Sequence, residues 1–411
     1  MVKQNYLIIL KIINIILVIN IGLLVIGLGW LGFETWRVKK TSALKKVIEA
    51  SLEPSANPFL TMSLEEKVGS LFIVGFEGEK LDEETKDFLQ RHYFKNFLLL
   101  ERNINNEEQL KNLTTSLSQI CQYRVLSPSV VNTRCLQPLI AVDQEGGVVD
   151  RIRFPTSPRL HGTGGNIDHT SQAEISSVDQ AYQLAYKRGE ILNGLGINMN
   201  LAPVLDIAWD SSSYIARTGR AFPDRNLNPV PGTGEAGAMI KGYQESGVIG
   251  VVKHYPFGLG RTRVDPHQTL AVIDINREEL EQDLYPFKKL IEAQEVKAVM
   301  VTHLKYPKID NLPTSLSAIW INDLLKQELG FKGVVVTDDL TMKAITNNYS
   351  IAEAGKLAFL AGADLIMVSG KPEDQEQAYK LVLEAVRNGE IPLTRIEESL
   401  TRIKNLHKFN F

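Results

Sequence analysis

No paired-histidine metal spacing and no basic stripe occur in this 411-residue chain, and no glycine-rich dinucleotide fingerprint follows its first strand-like run. Without G-x-G-x-x-G after its first strand-like run, the chain does not read as a dinucleotide-binding sheet. Without H-x-H or H-x-x-x-H, a metal-dependent hydrolase using His254, His303 and aspartates lacks its usual ligand spacing, so no metal or other cofactor is expected. Net charge is −3, and beyond residue 40 it is −7, from 40 basic against 47 acidic residues. Such a balance does not neutralise phosphates, which excludes nucleic acid as an expected partner. Cysteine is nearly absent too. The two present, Cys121 and Cys135, share one polar segment. A pair closing about 15 residues points to a disulfide in an oxidising compartment, two free thiols being the other reading.

The first 40 residues are a separate object. Residues 12–33 are almost wholly Ile, Leu, Val and Gly. As a helix they would reach roughly 33 Å, enough for a bilayer core of about 30 Å. The run exceeds a signal-peptide core and no small-x-small cleavage site follows it. The expectation is a transmembrane anchor over 1–40, a linker over 41–61 and a globular domain over 62–411. Orientation signals conflict. Lys and Arg after the span favour a cytoplasmic domain, whereas the cysteine pair favours an extracytoplasmic one, which is the placement adopted.

The globular part opens at Ser63-Leu-Glu-Glu66, a helix-starting capping box. Apolar, β-branched runs then recur at 71–75, 97–100, 139–142, 199–202, 248–252, 298–301, 334–337 and 365–368, with helical patterns between them. Eight alternating units predict an α/β fold, a (β/α)8 TIM-like barrel preceded by one transmembrane helix. An open doubly wound sheet is the alternative. The ends of these runs carry Asp143, Asp206, Lys253-His254, His303 and Asp338. Each alone could cap a helix or tie a loop, but polar groups at one end of successive parallel strands converge on one pocket. The clearest is Gly333-Val-Val-Val-Thr-Asp-Asp339, a buried strand ending in two carboxylates.

Seven motifs, Ser63-Leu-Glu-Glu-Lys-Val-Gly69, Ala141-Val-Asp-Gln-Glu-Gly-Gly147, Asn200-Leu-Ala-Pro-Val-Leu-Asp206, Gly219-Arg-Ala-Phe222, Lys253-His-Tyr-Pro256, Asp265-Pro-His267 and Thr337-Asp-Asp-Leu-Thr-Met342, occur in this order. Together they resemble the catalytic barrel of glycoside hydrolase family 3, in its single-domain β-N-acetylglucosaminidase branch. The resemblance implies an exo-acting, retaining hydrolase of terminal β-N-acetylglucosamine, acting on peptidoglycan-derived or related glycans. Asp338 would be the nucleophile that forms a covalent glycosyl-enzyme intermediate, its ionisation favoured by Lys253 and Arg151. Asp339 would support it. His267 with Asp265 would be the acid/base dyad. Two residues apart in an extended segment, both side chains point the same way, so the carboxylate can hold the imidazole's tautomer and favour its protonated form. Asp143 and Arg151 would grip sugar hydroxyls, with Arg220, Lys253 and His254 completing the subsite. Glu145 and Gln144 would lock the turn after the third strand.

The chain departs from the family pattern around the dyad. Lys253-His-Tyr-Pro-Phe-Gly-Leu-Gly260 lacks a middle histidine, and the loop runs about one residue longer to Asp265. Pro266 replaces a serine and restricts Asp265 to extended geometry. A catalytically impaired glycan-binding protein, or a β-glucosidase or phosphorylase of the same family, therefore stay open as alternatives.

Overall fold

Short runs of Val, Ile and Leu, too brief for helices and flanked by amphipathic segments, become parallel strands buried on both faces. The computed structural model of the protein describes residues 59, 62–120, 137–155, 167–222 and 234–406. The chain divides into two units, Met1–Leu60 and Thr61–Phe411, and every element below lies in the second. In chain order the strands are β1 Phe72–Val74, β2 Asn96–Leu99, β3 Ile140–Val142, β4 Met199–Asn200, β5 Ile249–Tyr255, β6 Ala271–Val272, β7 Ala298–Val301, β8 Leu304–Tyr306, β9 Asp310–Pro313, β10 Val334–Thr337 and β11 Ile366–Val368.

Eight of them form one parallel sheet in the order β10-β7-β5-β4-β3-β2-β1-β11, so each strand lies beside the next barrel strand in sequence. A parallel bridge between Val336 and Leu365 joins the two ends and makes the sheet a barrel. Two amides seal that seam: Thr337 N donates to Leu365 O at 3.0 Å, and Leu365 N to Val335 O at 3.0 Å. All residues of these eight strands are buried, as a side-chain-filled barrel surrounded by helices requires. The eight apolar runs read from the sequence coincide with the eight strands to within three residues at their ends, and the open-sheet alternative is excluded by the seam. The remaining strands, β6, β8 and β9, form a small sheet.

Helices start where short polar side chains offer an acceptor. Ser63 Oγ takes the Glu66 amide at 3.1 Å, and Asp82, Asn106 and Ser350 cap their helices in the same way. At the amino-terminal end of the barrel, buried Asp364 binds Arg402 at 2.9 Å and Ser399 at 2.6 Å, tying the final helix Leu393–Leu406 to β11. Charge at that end supports the fold, whereas charge at the other end is available for chemistry.

The expectation of a barrel preceded by a transmembrane helix is corrected: the described residues form the barrel, and no helix among them is long and apolar enough to cross a membrane. Each is amphipathic, wrapped on the barrel by one face. Val178–Gly194, for example, carries Asp179, Lys187 and Glu190 on its solvent side, whereas a span needs about 20 mainly apolar residues. Membrane attachment finds no support among the described residues; the run at 12–33 and the pair Cys121 and Cys135 lie outside them.

Candidate active site

The barrel brings the expected strand-end residues to one mouth. Asp143 follows β3 directly, Lys253 and His254 are inside the last turns of β5, His303 lies just past β7, and Asp338 follows β10. A continuous chain of charge joins the first group. Lys253 Nζ contacts Asp143 Oδ1 and Glu145 Oε1, each at 2.6 Å. Glu145 then receives a fork from Arg220, with Nε and Nη2 both donating at 2.8 Å. Arg220 Nη2 also donates to His254 Nε2 at 3.1 Å, and His254 Nδ1 donates to Asp206 Oδ2 at 2.6 Å. Because guanidinium only donates, His254 is held as its neutral Nδ1–H tautomer.

These charges hold one another ionised. Burial pushes the Glu145 carboxyl up, but Arg220 and Lys253 outweigh it and keep it far below the usual carboxylate range. Burial pushes Lys253 down, and Asp143 and Glu145 reverse that, leaving it above an ordinary lysine. Glu145, expected only to lock a turn, is the hub of the cluster. The turn is locked by Gln144, whose Oε1 accepts the Arg151 amide at 2.9 Å and the Ile152 amide at 3.0 Å.

Asp338 occupies a different position, outside any ion pair among the described residues. Thr302 Oγ1 donates to its Oδ2 at 3.0 Å and the Asp339 amide to its Oδ1 at 2.9 Å. Burial raises its pKa, and the imidazoles of His303, His254 and His267, which carry positive charge once acidification protonates them, lower it by more together with the Asp339 amide, so the group is held below an ordinary aspartate. Lys253, expected to do this, is instead taken up by Asp143 and Glu145. Burial pushes the His303 imidazole itself down. Its Nε2 donates to Asp339 O at 3.0 Å, so Nδ1 accepts from Ser315 at 2.7 Å. Asp339 is a brace. Its carboxylate accepts the Thr341 amide at 3.0 Å, the Ser369 amide at 3.1 Å and the Ser369 hydroxyl, fixing the strand end to that of β11.

Asp265 and His267 do pair, with Nδ1 at 2.7 Å from Asp265 Oδ1. The geometry differs from the extended segment expected. Residues 266–268 turn, and the same Oδ1 also accepts the His267 amide at 2.9 Å, so one carboxylate oxygen anchors both the backbone and the ring. The pair is exposed, His267 more than Asp265. Its loop rests on the segment after the nucleophile position, the Ala344 amide donating to Pro266 O at 3.3 Å. With Nδ1 engaged, Nε2 is the nitrogen that can address a leaving group.

Arg151 is placed by its backbone, and its Nε is buried with no hydrogen-bond partner among the described residues, a donor available to a ligand. Arg220 has Nε and Nη2 engaged, so only Nη1 can reach a sugar. Asp206 was expected at the pocket from its strand end but given no role, and Thr302 and Ser315 were not anticipated as site residues. Thr302 carried a signal, standing at a strand end beside a residue that was noted. Ser315 carried none, because it reaches His303 only through the β8–β9 reversal. No group of three or more His, Cys, Asp or Glu among the described residues is arranged to hold a metal ion.

The chain is 33% identical over 297 residues to a β-hexosaminidase of Neisseria gonorrhoeae, covering 72% of this chain and 76% of that protein. It is 30% identical over 337 residues to one of Nitrosomonas eutropha, covering 80% and 90%. A β-N-acetylglucosaminidase structure from Paenibacillus superposes with a TM-score of 0.72 at 32% identity, over 85% of this chain. This chain spans 63% of that longer protein. A β-N-acetylhexosaminidase from Beutenbergia cavernae superposes with a TM-score of 0.71 at 26% identity, covering 84% and 99%. The glycosyl hydrolase family 3 N-terminal domain matches residues 63–406, the span of the barrel and its helices, and the chain is thus a glycoside hydrolase that belongs to family 3.

Proposed function

We propose that the protein is a retaining exo-β-N-acetylhexosaminidase that cleaves terminal β-N-acetylglucosamine. The observation that carries the mechanism is the pairing of an ionised strand-end carboxylate, Asp338, with an Asp–His dyad on the loop after β5 whose imidazole bears on it electrostatically. Asp338 attacks the anomeric carbon as His267 Nε2–H protonates the departing glycosidic oxygen. The sugar stays bonded to Asp338 Oδ, and His267, now neutral, takes a proton from the water that releases it. Asp265 keeps the ring oriented and stabilises its imidazolium. Asp143 and Arg151 bind hydroxyls beside the buried Lys253–Glu145–Arg220 cluster. The names of the similar proteins support the N-acetylhexosamine specificity.

The test is hydrolysis of p-nitrophenyl β-N-acetylglucosaminide and of the matching glucoside by the full chain and by His267→Ala. Preference for the first is expected. His267→Ala is expected to lose about 10²–10⁴-fold in rate on substrates with poor leaving groups, the range of general acid catalysis. It should lose far less on a dinitrophenyl glycoside, which needs no proton. A uniform loss on both would remove His267 from the acid role, and no turnover at all would leave a glycan-binding protein. Phosphate added to the assay separates hydrolysis from phosphorolysis by its product, a sugar 1-phosphate. With the membrane anchor unsupported, location gives no reason to prefer cell-wall fragments; cleavage of peptidoglycan disaccharides against chitobiose decides the source.

A further inference from the structure

The loop that carries Asp265 and His267 leaves β5 on a stem held from several sides. Residues 251–260 are wholly buried and burial ends at Arg261. Phe257 packs edge-on against Phe287 at 5.0 Å, and its carbonyl accepts the Tyr306 hydroxyl. Beyond it the loop is laced to the segment after β4. Ile215 N donates to Leu259 O at 3.3 Å, Asp210 N to Gly260 O at 3.3 Å and Tyr214 N to Thr262 O at 2.6 Å. The backbones are so close at Gly260 that a Cβ there would lie 1.7 Å from Ile207 O. Arg217 Nη2 adds a bond to Arg263 O at 3.0 Å.

One charged group fixes this stem to the barrel helices. Arg261 forms a fork with Asp283, Nε to Oδ2 at 2.7 Å and Nη2 to Oδ1 at 2.9 Å. Asp283 is fully buried on the helix Arg277–Glu292, and Trp209 Nε1 donates to the same Oδ1 at 2.5 Å. The Arg261 guanidinium lies over the Trp209 ring, 4.8 Å from its centroid. A fork onto a buried carboxylate, covered by an indole, is a rigid three-way joint. Between Arg263 and β6, where pairing with β8 anchors the chain again, the bonds to the rest of the barrel thin to the Ala344 amide on Pro266 O and Lys343 Nζ on Gln268 Oε1 at 3.3 Å.

We propose that Arg261, clamped by Asp283 and Trp209, is a positioning residue for the acid step, fixing the base of the loop so that the dyad approaches the glycosidic oxygen from a set distance. His267 is six residues from the clamp, and its exposed ring is tied to Asp265 of the same loop. The position of the pair is inherited from the two ends of the loop, the stem on one side and β6 on the other. Proton transfer is sensitive to such placement, since a displacement of about 1 Å can cost about 10²-fold. The stem in this way leaves free only the few residues between Arg263 and β6.

This inference rests on His267 being the general acid, and the experiment separates the two. Full-length Arg261→Ala, Arg261→Lys and His267→Ala are assayed on a series of aryl β-N-acetylglucosaminides of graded leaving-group pKa, with thermal midpoints alongside. Arg261→Ala is expected to lose about 10–100-fold on the poorest leaving groups and less than about threefold on the dinitrophenyl substrate. Arg261→Lys, which keeps the charge but not the fork, should fall between. An equal loss across the whole series, or none, in a folded Arg261→Ala would overturn the proposal. If Arg261→Ala does not fold, the double variant Arg261→Met with Asp283→Asn leaves no buried charge and is read by the same criterion. A His267→Ala enzyme without leaving-group dependence would instead overturn the acid assignment beneath it.

Discussion

Replacing Asp338 with alanine is expected to lower kcat/KM by on the order of 10⁴-fold or more on every aryl glycoside, good and poor leaving groups alike, the scale found when a covalent nucleophile is removed. The uniformity matters, because losing an acid hurts poor leaving groups most. Three carboxylates compete for the role, and the structure distinguishes them. Asp143 is paired with Lys253 at 2.6 Å, and Asp339 has both oxygens occupied by Thr341 and Ser369. Among the described residues Asp338 accepts only from Thr302 and the Asp339 amide, and it is held below an ordinary aspartate despite its burial. It can attack without first breaking an ion pair. The check is azide. In Asp338→Ala the dyad still protonates the leaving group, and azide entering from the vacated side should give the α-glycosyl azide and restore turnover. A variant within tenfold of the unmutated enzyme, or a β-configured azide product, would move the nucleophile elsewhere.

Glu145→Gln is expected to have the largest effect on stability. The substitution keeps volume but removes the charge shared by Arg220 and Lys253, both more than nine-tenths buried. Breaking a buried ion pair from one side typically costs about 3–5 kcal/mol, since the abandoned cations have no water to turn to. Asp143 remains beside Lys253, so Arg220 bears most of the loss. The pH dependence has a definite sign. Burial opposes the ionised form of Glu145 and its two cations favour it by more, so its pKa is lower folded than unfolded. The stabilisation is fully present above the unfolded value near 4.5 and fades as pH falls below it toward the folded value. The gap in thermal midpoint between Glu145→Gln and the unmutated protein should therefore be widest near neutrality and narrow below about pH 4.5. A gap that is absent at pH 7, or that widens on acidification, would show that the cluster does not act as described.

The eight strands were legible because a parallel strand buried on both faces can contain little except Val, Ile, Leu and small residues. The run Val334-Val-Val336 has no other plausible fate. Strand ends were legible for a related reason: a charge directly after such a run must be used or paired, which drew attention to Asp143, Lys253 and Asp338. Use and pairing could not be told apart in one dimension. Glu145 reads as a turn residue beside two glycines, and only the barrel brings Arg220, 75 residues away, onto it. The same limit explains the misplaced source of Asp338's ionisation, since His254 and His303 bear on it from two strand ends and His267 from the loop after β5.

The Asp265–His267 pairing was fixed locally, because two residues of separation allow the contact whether the segment is extended or turned. What holds that pair in place was not. Arg261 is an unremarkable loop arginine until the helix Arg277–Glu292 presents buried Asp283 to it and Trp209 arrives from the segment after β4. By itself, the sequence determined the eight strands, the helices between them and the residue types at the strand ends, because burial and period are properties of a segment and its neighbours. Closure into a barrel came from the seam. Tertiary structure alone decided which charges neutralise one another and which carboxylate is left unpaired, because those depend on distances between side chains that the chain brings together from far apart.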